Sequence, residues 1–101
     1  MTSESRDQVD PQLEPYLPEA GSVTMFTTQW CGYCRRLKFQ MDREDIAYTM
    51  VDIEQVPDAA EVVMTANGGN RTVPTLVFPD GSTATNPSIR EVMERVGAAA
   101  D

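Results

Sequence analysis

The two cysteines of this 101-residue chain, Cys31 and Cys34, are three positions apart and lie between two segments of different periodicity. The preceding run, residues 23–27 (VTMFT), is short, apolar and β-branched, which predicts a strand. After the pair, Cys34, Leu37 and Met41 recur at helical spacing, with charged side chains between them. The sequence therefore predicts a Cys-x-x-Cys pair at the junction of a strand and the start of a helix.

The segments that follow extend this start into a complete small fold. They are a strand at residues 46–53, a helix from Pro57 to Asn67-Gly68, strands at residues 75–78 and 82–85, and a helix that begins at Pro87 or Ser88 and ends at Gly97. The Asp80-Gly81 pair favours a tight hairpin turn between the two short strands. A β-α-β unit needs parallel strands and a right-handed crossover, and the hairpin adds an antiparallel pair. The order β-α-β-α-β-β-α predicts the α/β thioredoxin fold, a mixed four-stranded sheet with helices on both faces.

Composition and charge limit the class of protein and its partners. The chain fits one domain, with 41% hydrophobic and 24% charged residues. Its formal charge of -8 disfavours nucleic acid and anionic membrane surfaces. Residues 1–20 carry three prolines among scattered carboxylates, so we expect a flexible acidic tail ahead of a domain at residues 21–101. This tail has no apolar run of a signal peptide or membrane helix, and we expect a cytoplasmic, monomeric protein.

Three kinds of chemistry are open to a Cys-x-x-Cys pair in a reducing cytosol. A structural zinc site needs four ligands, and two cysteines without histidine could supply them only in a dimer. A structural disulfide across two residues closes a very small loop and stabilises little. Redox cycling is the third, and the sequence favours it, with no bound metal and no bound cofactor expected.

The position of the pair predicts different roles for its two thiols. At a helix start, unpaired backbone N–H groups and the helix dipole stabilise a thiolate on Cys31. Cys34, one helical turn later, is more buried and close enough to close a disulfide. We therefore expect Cys31 to be the nucleophile and Cys34 the resolving thiol. The aromatic residues Trp30 and Tyr33 either flank a substrate or serve as ordinary packing residues.

Several motifs together make the chain resemble the mycoredoxins, glutaredoxin-like proteins of actinobacteria. The resemblance covers about residues 22–96 and rests on W-C-G-Y-C at residues 30–34, N-G-G-N-R-T-V-P-T at residues 67–75, D-G-S at residues 80–82 and T-N-P at residues 85–87. It implies reduction of protein–mycothiol mixed disulfides, with mycothiol as the thiol co-substrate. Mycothiol disulfide reductase and NADPH would then supply the electrons indirectly.

The resemblance also implies a substrate-binding set around the cysteines. Val73-Pro74 is expected to be a cis peptide that leaves the Val73 backbone free to pair with a substrate beside Cys31. The full implied set is Trp30, Tyr33, Arg71, Thr72, Val73, Pro74, Thr85 and Asn86.

Two departures from glutaredoxins bear on which thiol is used. Glutaredoxins usually carry a lysine where this chain has Thr28, and an acidic Gly-Gly segment where it has residues 85–88 (TNPS). An uncharged rim suits the hydroxyls of a sugar and inositol better than the charged ends of glutathione. Two alternatives stay open: a dithiol electron donor to ribonucleotide reductase, and a dimer that binds a [2Fe-2S] cluster through Cys31.

Overall fold

The computed structural model describes the backbone of residues 11–100 and the side chains of residues 12–96. A 3₁₀ helix, Pro11–Tyr16, comes first. The strands are β1 (Ser22–Thr27), β2 (Ala47–Asp52), β3 (Thr75–Val77) and β4 (Thr83–Thr85), and the helices are α1 (Gly32–Arg43), α2 (Pro57–Ala66) and α3 (Ile89–Ala100). No helix in this described range is long and apolar enough to cross a membrane.

The four strands form one mixed sheet in the order β2-β1-β3-β4. β1 runs parallel to β2 and antiparallel to β3, and β3 runs antiparallel to β4. Strand order, strand directions and helix positions confirm the predicted thioredoxin fold. The β1–α1 connection places the cysteines at the carboxyl end of a central strand.

The two faces of this sheet bury separate apolar clusters. On the face that we call the cysteine face, α1 and α3 cover the sheet, and the buried residues are Val23, Met25, Cys34, Leu37, Met41, Leu76, Phe78, Val92 and Val96. On the opposite face, α2 and the 3₁₀ helix cover it, with Leu13, Phe26, Ile53, Ala59, Ala60, Val62, Val63 and Val77 buried. The alternation of side chains along each strand assigns neighbouring residues to different clusters.

A hydrogen bond ties helix α1 to the edge strand of the sheet. The Tyr48 hydroxyl on β2 donates to Asp42 Oδ1 at 2.7 Å, and Lys38 Nζ lies 3.7 Å from the same carboxylate. This bond raises the pKa of Tyr48 above its ordinary value, because the Asp42 carboxylate favours the protonated phenol.

Helix α3 differs from its prediction at the carboxyl end. Its start agrees with the expected cap, because Glu91 N–H donates to Ser88 Oγ at 3.1 Å. We expected Gly97 to end the helix, but α3 continues through it to Ala100. The three alanines that follow are the best helix formers, and they outweigh the cost of one glycine.

The segment before β1 differs from the flexible acidic tail that the sequence predicts. Leu13 is buried in the cluster of the opposite face, and the Tyr16 ring meets Phe26 edge to face at 5.1 Å between centroids. Thr24 Oγ1 on β1 donates to the Tyr16 carbonyl at 2.6 Å. Over the 3₁₀ helix Pro11–Tyr16 the prediction of a flexible acidic tail is therefore wrong, because two apolar side chains of this helix pack on the sheet. Residues 1–10 lie outside the described part of the chain.

Candidate redox site

Cys31 is the N-cap residue of helix α1, with an extended backbone (φ -87°, ψ 106°). The Cys34 N–H donates to Cys31 Sγ at 3.0 Å, and the Arg35 N–H donates to the Cys31 carbonyl at 3.2 Å. When Cys31 is reduced, this backbone donor and the positive end of α1 favour its thiolate form. The local geometry thus supports a reactive thiol at position 31.

The two thiols are joined in a disulfide, with Cα atoms 5.2 Å apart, and they differ in exposure. Cys34 is 1% exposed within the cluster of the cysteine face, whereas Cys31 is partly exposed at the helix start. An incoming substrate can reach Cys31, while Cys34 reaches only its partner sulfur. This difference supports Cys31 as the nucleophile and Cys34 as the resolving thiol.

The loop before β3 brings a backbone carbonyl next to the nucleophile. The Val73-Pro74 peptide is cis, as the resemblance implies, and the Val73 carbonyl oxygen lies 3.8 Å from Cys31 Sγ. The Asn86 N–H donates to the Pro74 carbonyl at 2.7 Å. Within the described residues, no hydrogen bond occupies the Val73 N–H. Val73 therefore presents a backbone donor and acceptor beside the reactive sulfur, which is the arrangement that an extended peptide can pair with.

Two exposed aromatic residues flank this site. Trp30 is 81% exposed immediately before Cys31, and Tyr33 is 64% exposed on the first turn of α1. Neither side chain belongs to the apolar cluster on either face of the sheet. Their exposure favours the substrate-flanking interpretation over ordinary packing.

A groove between α1 and the residues before α3 continues from Tyr33. Its lining consists of Tyr33, Arg36, Leu37, Gln40, Asn86, Pro87, Ser88 and Ile89. Asn86 adopts a left-handed backbone (φ 47°), a conformation that asparagine tolerates better than most residues. Two amides, one serine hydroxyl, one phenol hydroxyl and one guanidinium supply the polar side-chain groups of this groove, and its lining residues include no carboxylate.

The structure brings most, but not all, of the expected substrate-binding residues to this region. Thr85 shares a strand with Ala84, which packs on the cysteine face, so the Thr85 side chain points to the opposite face and its hydroxyl donates to Asn67 Oδ1. Arg71 and Thr72 are exposed on the loop before Val73. No hydrogen bond or ion pair in the described structure joins the Arg71 or Thr72 side chain to the cysteines. Their role in substrate binding stays a prediction.

Arg36 and Gln40 line the groove although sequence reasoning did not single them out. Arg36 and Gln40 follow Tyr33 by three and seven residues, which is the spacing of one helix side. That periodicity could have suggested them. The partner segment across the groove comes from packing between α1 and the region before α3, which the sequence pattern does not specify.

Comparison with known proteins agrees with this geometry. The family model for glutaredoxin matches residues 23–82. A Mycobacterium tuberculosis protein assigned to the glutaredoxins is 56% identical over 75 residues, covering 74% of this chain and 89% of that protein. Mycoredoxin 1 of Corynebacterium glutamicum is 42% identical over 79 residues, covering 78% of this chain and 98% of the relative.

A solved structure supports the fold independently of sequence. The glutaredoxin of Archaeoglobus fulgidus superposes with a TM-score of 0.64 at 20% identity, covering 80% of this chain and 91% of that one. The family implies thiol–disulfide exchange with thiol-based redox partners, and the two cysteines supply the groups for it. The chain belongs to the glutaredoxin family, and Cys31 and Cys34 form its Cys-x-x-Cys pair.

Proposed function

We propose that this protein reduces protein–mycothiol mixed disulfides and takes its electrons from mycothiol. Mycothiol enters as a co-substrate and not as a bound cofactor. In this proposal the protein is a cytoplasmic monomer, and an NADPH-dependent mycothiol disulfide reductase regenerates the thiol. The similarity to a mycoredoxin supports the choice of thiol. The main structural support for the proposal is the polar character of the groove beside Tyr33.

Glutathione carries two carboxylates and one ammonium, so a site that selects it needs an anionic partner for the ammonium. The groove offers the amides of Gln40 and Asn86, the Ser88 hydroxyl and the Arg36 guanidinium, but no carboxylate among its lining residues. An ammonium bound there loses hydration without gaining an opposite charge. Amide and hydroxyl groups instead match the many hydroxyls of mycothiol, which carries a sugar and an inositol.

The geometry of the two cysteines supports the following sequence of exchange steps. The Cys31 thiolate attacks the mycothiol sulfur of the mixed disulfide, the protein thiolate leaves, and Cys31 is joined to mycothiol. The thiolate of a second mycothiol attacks the mycothiol sulfur of this intermediate, which yields mycothiol disulfide and returns Cys31 as a thiolate. Alternatively, Cys34 attacks Cys31 Sγ and releases mycothiol, which produces the Cys31–Cys34 disulfide of the structure.

A coupled NADPH assay tests the proposal by comparing mycothiol with glutathione, each supplied with its own disulfide reductase. Mycothiol should support turnover and glutathione should do so poorly. The double change Thr28→Lys with Asn86→Asp places charges at the two positions where glutaredoxins usually carry them, and aspartate tolerates the left-handed backbone at position 86. We expect it to raise glutathione kcat/KM by about one to two orders of magnitude, since a partly desolvated ion pair contributes about 1 to 3 kcal/mol. Mycothiol activity should fall in the same variant.

A matched control adds one cation and one anion away from the groove. Thr49 on β2 and Gln55 after it are exposed and do not line the groove, so Thr49→Lys with Gln55→Glu leaves the net charge change the same. This control should change neither activity. Equal turnover of mycothiol and glutathione by the unmodified protein would contradict the proposal and leave only a general glutaredoxin assignment.

A further inference from the structure

A polar network on the opposite face of the sheet joins the end of α2 to the loop beside Cys31. Asn67 is the C-cap residue of α2, and its side chain forms hydrogen bonds to residues of both β3 and β4. Asn67 Nδ2 donates to Thr75 Oγ1 at 2.9 Å, and Asn67 Oδ1 accepts from the Thr85 hydroxyl. Thr75 and Thr85 face each other in the β3–β4 register, so one amide spans a cross-strand pair. Thr75 Oγ1 in turn donates to the Thr72 carbonyl at 2.8 Å.

The chemistry of these groups allows only one arrangement of protons that satisfies every contact. The Thr72 carbonyl can only accept, so the single hydroxyl proton of Thr75 points to it. The Thr75 oxygen must then accept from the amide nitrogen of Asn67, which turns Asn67 Oδ1 toward the Thr85 hydroxyl. Thr75 is only 1% exposed, so an unpaired hydroxyl there would be costly. Position 67 therefore needs a donor and an acceptor on one planar group.

This network fixes one side of the segment that carries Val73. Thr72 is bound through its carbonyl to Thr75, and Pro74 is bound through its carbonyl to the Asn86 N–H at 2.7 Å. Val73 lies between these two bound carbonyls, with its own carbonyl oxygen 3.8 Å from Cys31 Sγ and its N–H without a partner in the described structure. The direction of the Val73 peptide groups is thus set by contacts on both neighbours.

We infer that Asn67 and Thr75 are positioning residues, which hold the Val73 backbone at the orientation needed to pair with an extended peptide next to its disulfide. Neither residue lines the groove, and within the described residues neither makes a hydrogen bond to a cysteine, so their effect on the site is indirect, through the Thr72–Pro74 segment. A small disulfide without a peptide backbone gains nothing from this orientation. The inference rests on thiol–disulfide exchange at Cys31 and is independent of mycothiol as the reductant.

The test is a single-turnover reaction of the full, pre-reduced chain, monitored by the fluorescence of Trp30 beside the reacting cysteine. Two electrons and two protons pass from Cys31 and Cys34 to the substrate disulfide, which becomes two thiols while the protein forms its own disulfide. The substrates are a disulfide-linked peptide pair and bis(2-hydroxyethyl) disulfide. We expect Thr75→Val to slow the peptide reaction about three- to tenfold, the range of one lost net hydrogen bond. The small disulfide should react at the unmodified rate.

Three further variants separate positioning from a loss of stability. Thr75→Ser keeps the hydroxyl and should restore the peptide rate, and Asn67→Asp keeps the shape but removes the donor, so it should act like Thr75→Val. The matched control is Thr24→Val, which removes the buried hydroxyl that bonds the Tyr16 carbonyl at 2.6 Å, away from the site. It should lower the melting temperature and leave both rates unchanged. The inference would be overturned if Thr75→Val and Asn67→Asp slowed the reactions of both substrates equally, or if both variants left the peptide rate unchanged. It would also be overturned if Thr75→Ser failed to restore the peptide rate.

Discussion

The redox motif of the cysteine face and the cover of the opposite face are assembled from parts that lie at different distances along the chain. On the cysteine face, the reactive groups and their flanking aromatic residues come from one continuous stretch, residues 30–34, within which α1 begins at Gly32. On the opposite face, the cover is shared by α2 and the 3₁₀ helix Pro11–Tyr16, which are more than forty residues apart. The first arrangement is local and produces a motif. The second arrangement depends on long-range packing, and no sequence motif predicts it.

This difference separates the contribution of the cysteine face from that of the 3₁₀ helix on the opposite face. The cysteine face holds the thiols, the helix start that favours the thiolate and the groove beside Tyr33. The opposite face holds no cysteine, but its cluster includes Phe26 and Val77 from the strands on either side of the site and is partly covered by Leu13. We therefore expect changes on the cysteine face to alter chemistry and changes in the 3₁₀ helix to alter stability. Substitutions on each face test this division.

The largest expected effect is a difference between the two cysteines. Cys31→Ser should lower turnover of protein–mycothiol mixed disulfides by at least about a thousandfold, because a serine hydroxyl cannot replace the attacking thiolate. Cys34→Ser should retain most activity, since the donor to Cys31 Sγ is the backbone N–H of residue 34, which the change leaves in place. The coupled NADPH assay with mycothiol measures both variants. If Cys34→Ser were as inactive as Cys31→Ser, resolution by a second mycothiol would be wrong.

A smaller effect, on stability, is expected from the opposite face. Leu13→Ala should lower the free energy of unfolding by about 2 to 3 kcal/mol, because Leu13 is 8% exposed and its loss opens a cavity over the cluster. Urea denaturation followed by circular dichroism measures this change. The exposed Glu14 on the same 3₁₀ helix provides the control, and Glu14→Ala should change stability by less than about 0.5 kcal/mol.

Turnover measurements on the Leu13→Ala variant also test whether the two faces act separately. Leu13 lies on the face that carries no cysteine, so the folded Leu13→Ala protein should keep its kcat and KM at a temperature where it remains native. A stability equal to that of the unmodified chain would mean that the 3₁₀ helix does not pack on the domain. A changed KM in the fully folded variant would mean that the faces are not separate, with Val73 as the connection, because it contacts both clusters.

The sequence predicted the cysteine face well for a physical reason. Periodicity and caps are local, so the order of strands and helices, the N-cap position of Cys31 and the buried Cys34 could all be inferred from neighbouring residues. The cis Val73-Pro74 peptide came from the resemblance and not from the pattern. These features needed no knowledge of which distant segments meet.

The features that the sequence predicted wrongly or missed depend instead on contacts between distant segments. Leu13 and Tyr16 are isolated apolar residues among prolines and carboxylates, and only the assembled sheet gives them a place to pack. Thr85 was assigned to the substrate site from its motif, whereas strand alternation points its side chain toward Asn67. Sequence spacing cannot show which face a short strand presents until its partner strand and register are known. Long-range contacts therefore limit the prediction.

The smallest effect concerns how the cysteine face is held at the β3–β4 hairpin. Asp80 Oδ1 accepts from the Ser82 hydroxyl at 2.6 Å and from the Ser82 N–H at 2.9 Å. Arg95 on α3 donates to the same Ser82 hydroxyl at 2.6 Å and lies over the Phe78 ring at 4.3 Å. The Ser82 hydrogen bonds, and to a lesser degree Arg95, hold the pKa of Asp80 below its ordinary value.

This lowered pKa predicts the sign of a pH dependence. The unfolded chain binds a proton at Asp80 more readily than the folded protein does, so the carboxylate contributes stability above its unfolded pKa and loses it as pH falls through its folded pKa. Asp80→Asn should weaken this acid dependence, because it removes the carboxylate whose pKa the Ser82 hydrogen bonds lower. Urea denaturation of the variant and the unmodified chain at a series of acidic pH values measures the slopes. The difference should be small, because Asp80 is largely exposed to solvent. An identical slope in Asp80→Asn and the unmodified chain would show that the contacts of Asp80 with Ser82 and Arg95 add no pH-dependent stability to the hairpin.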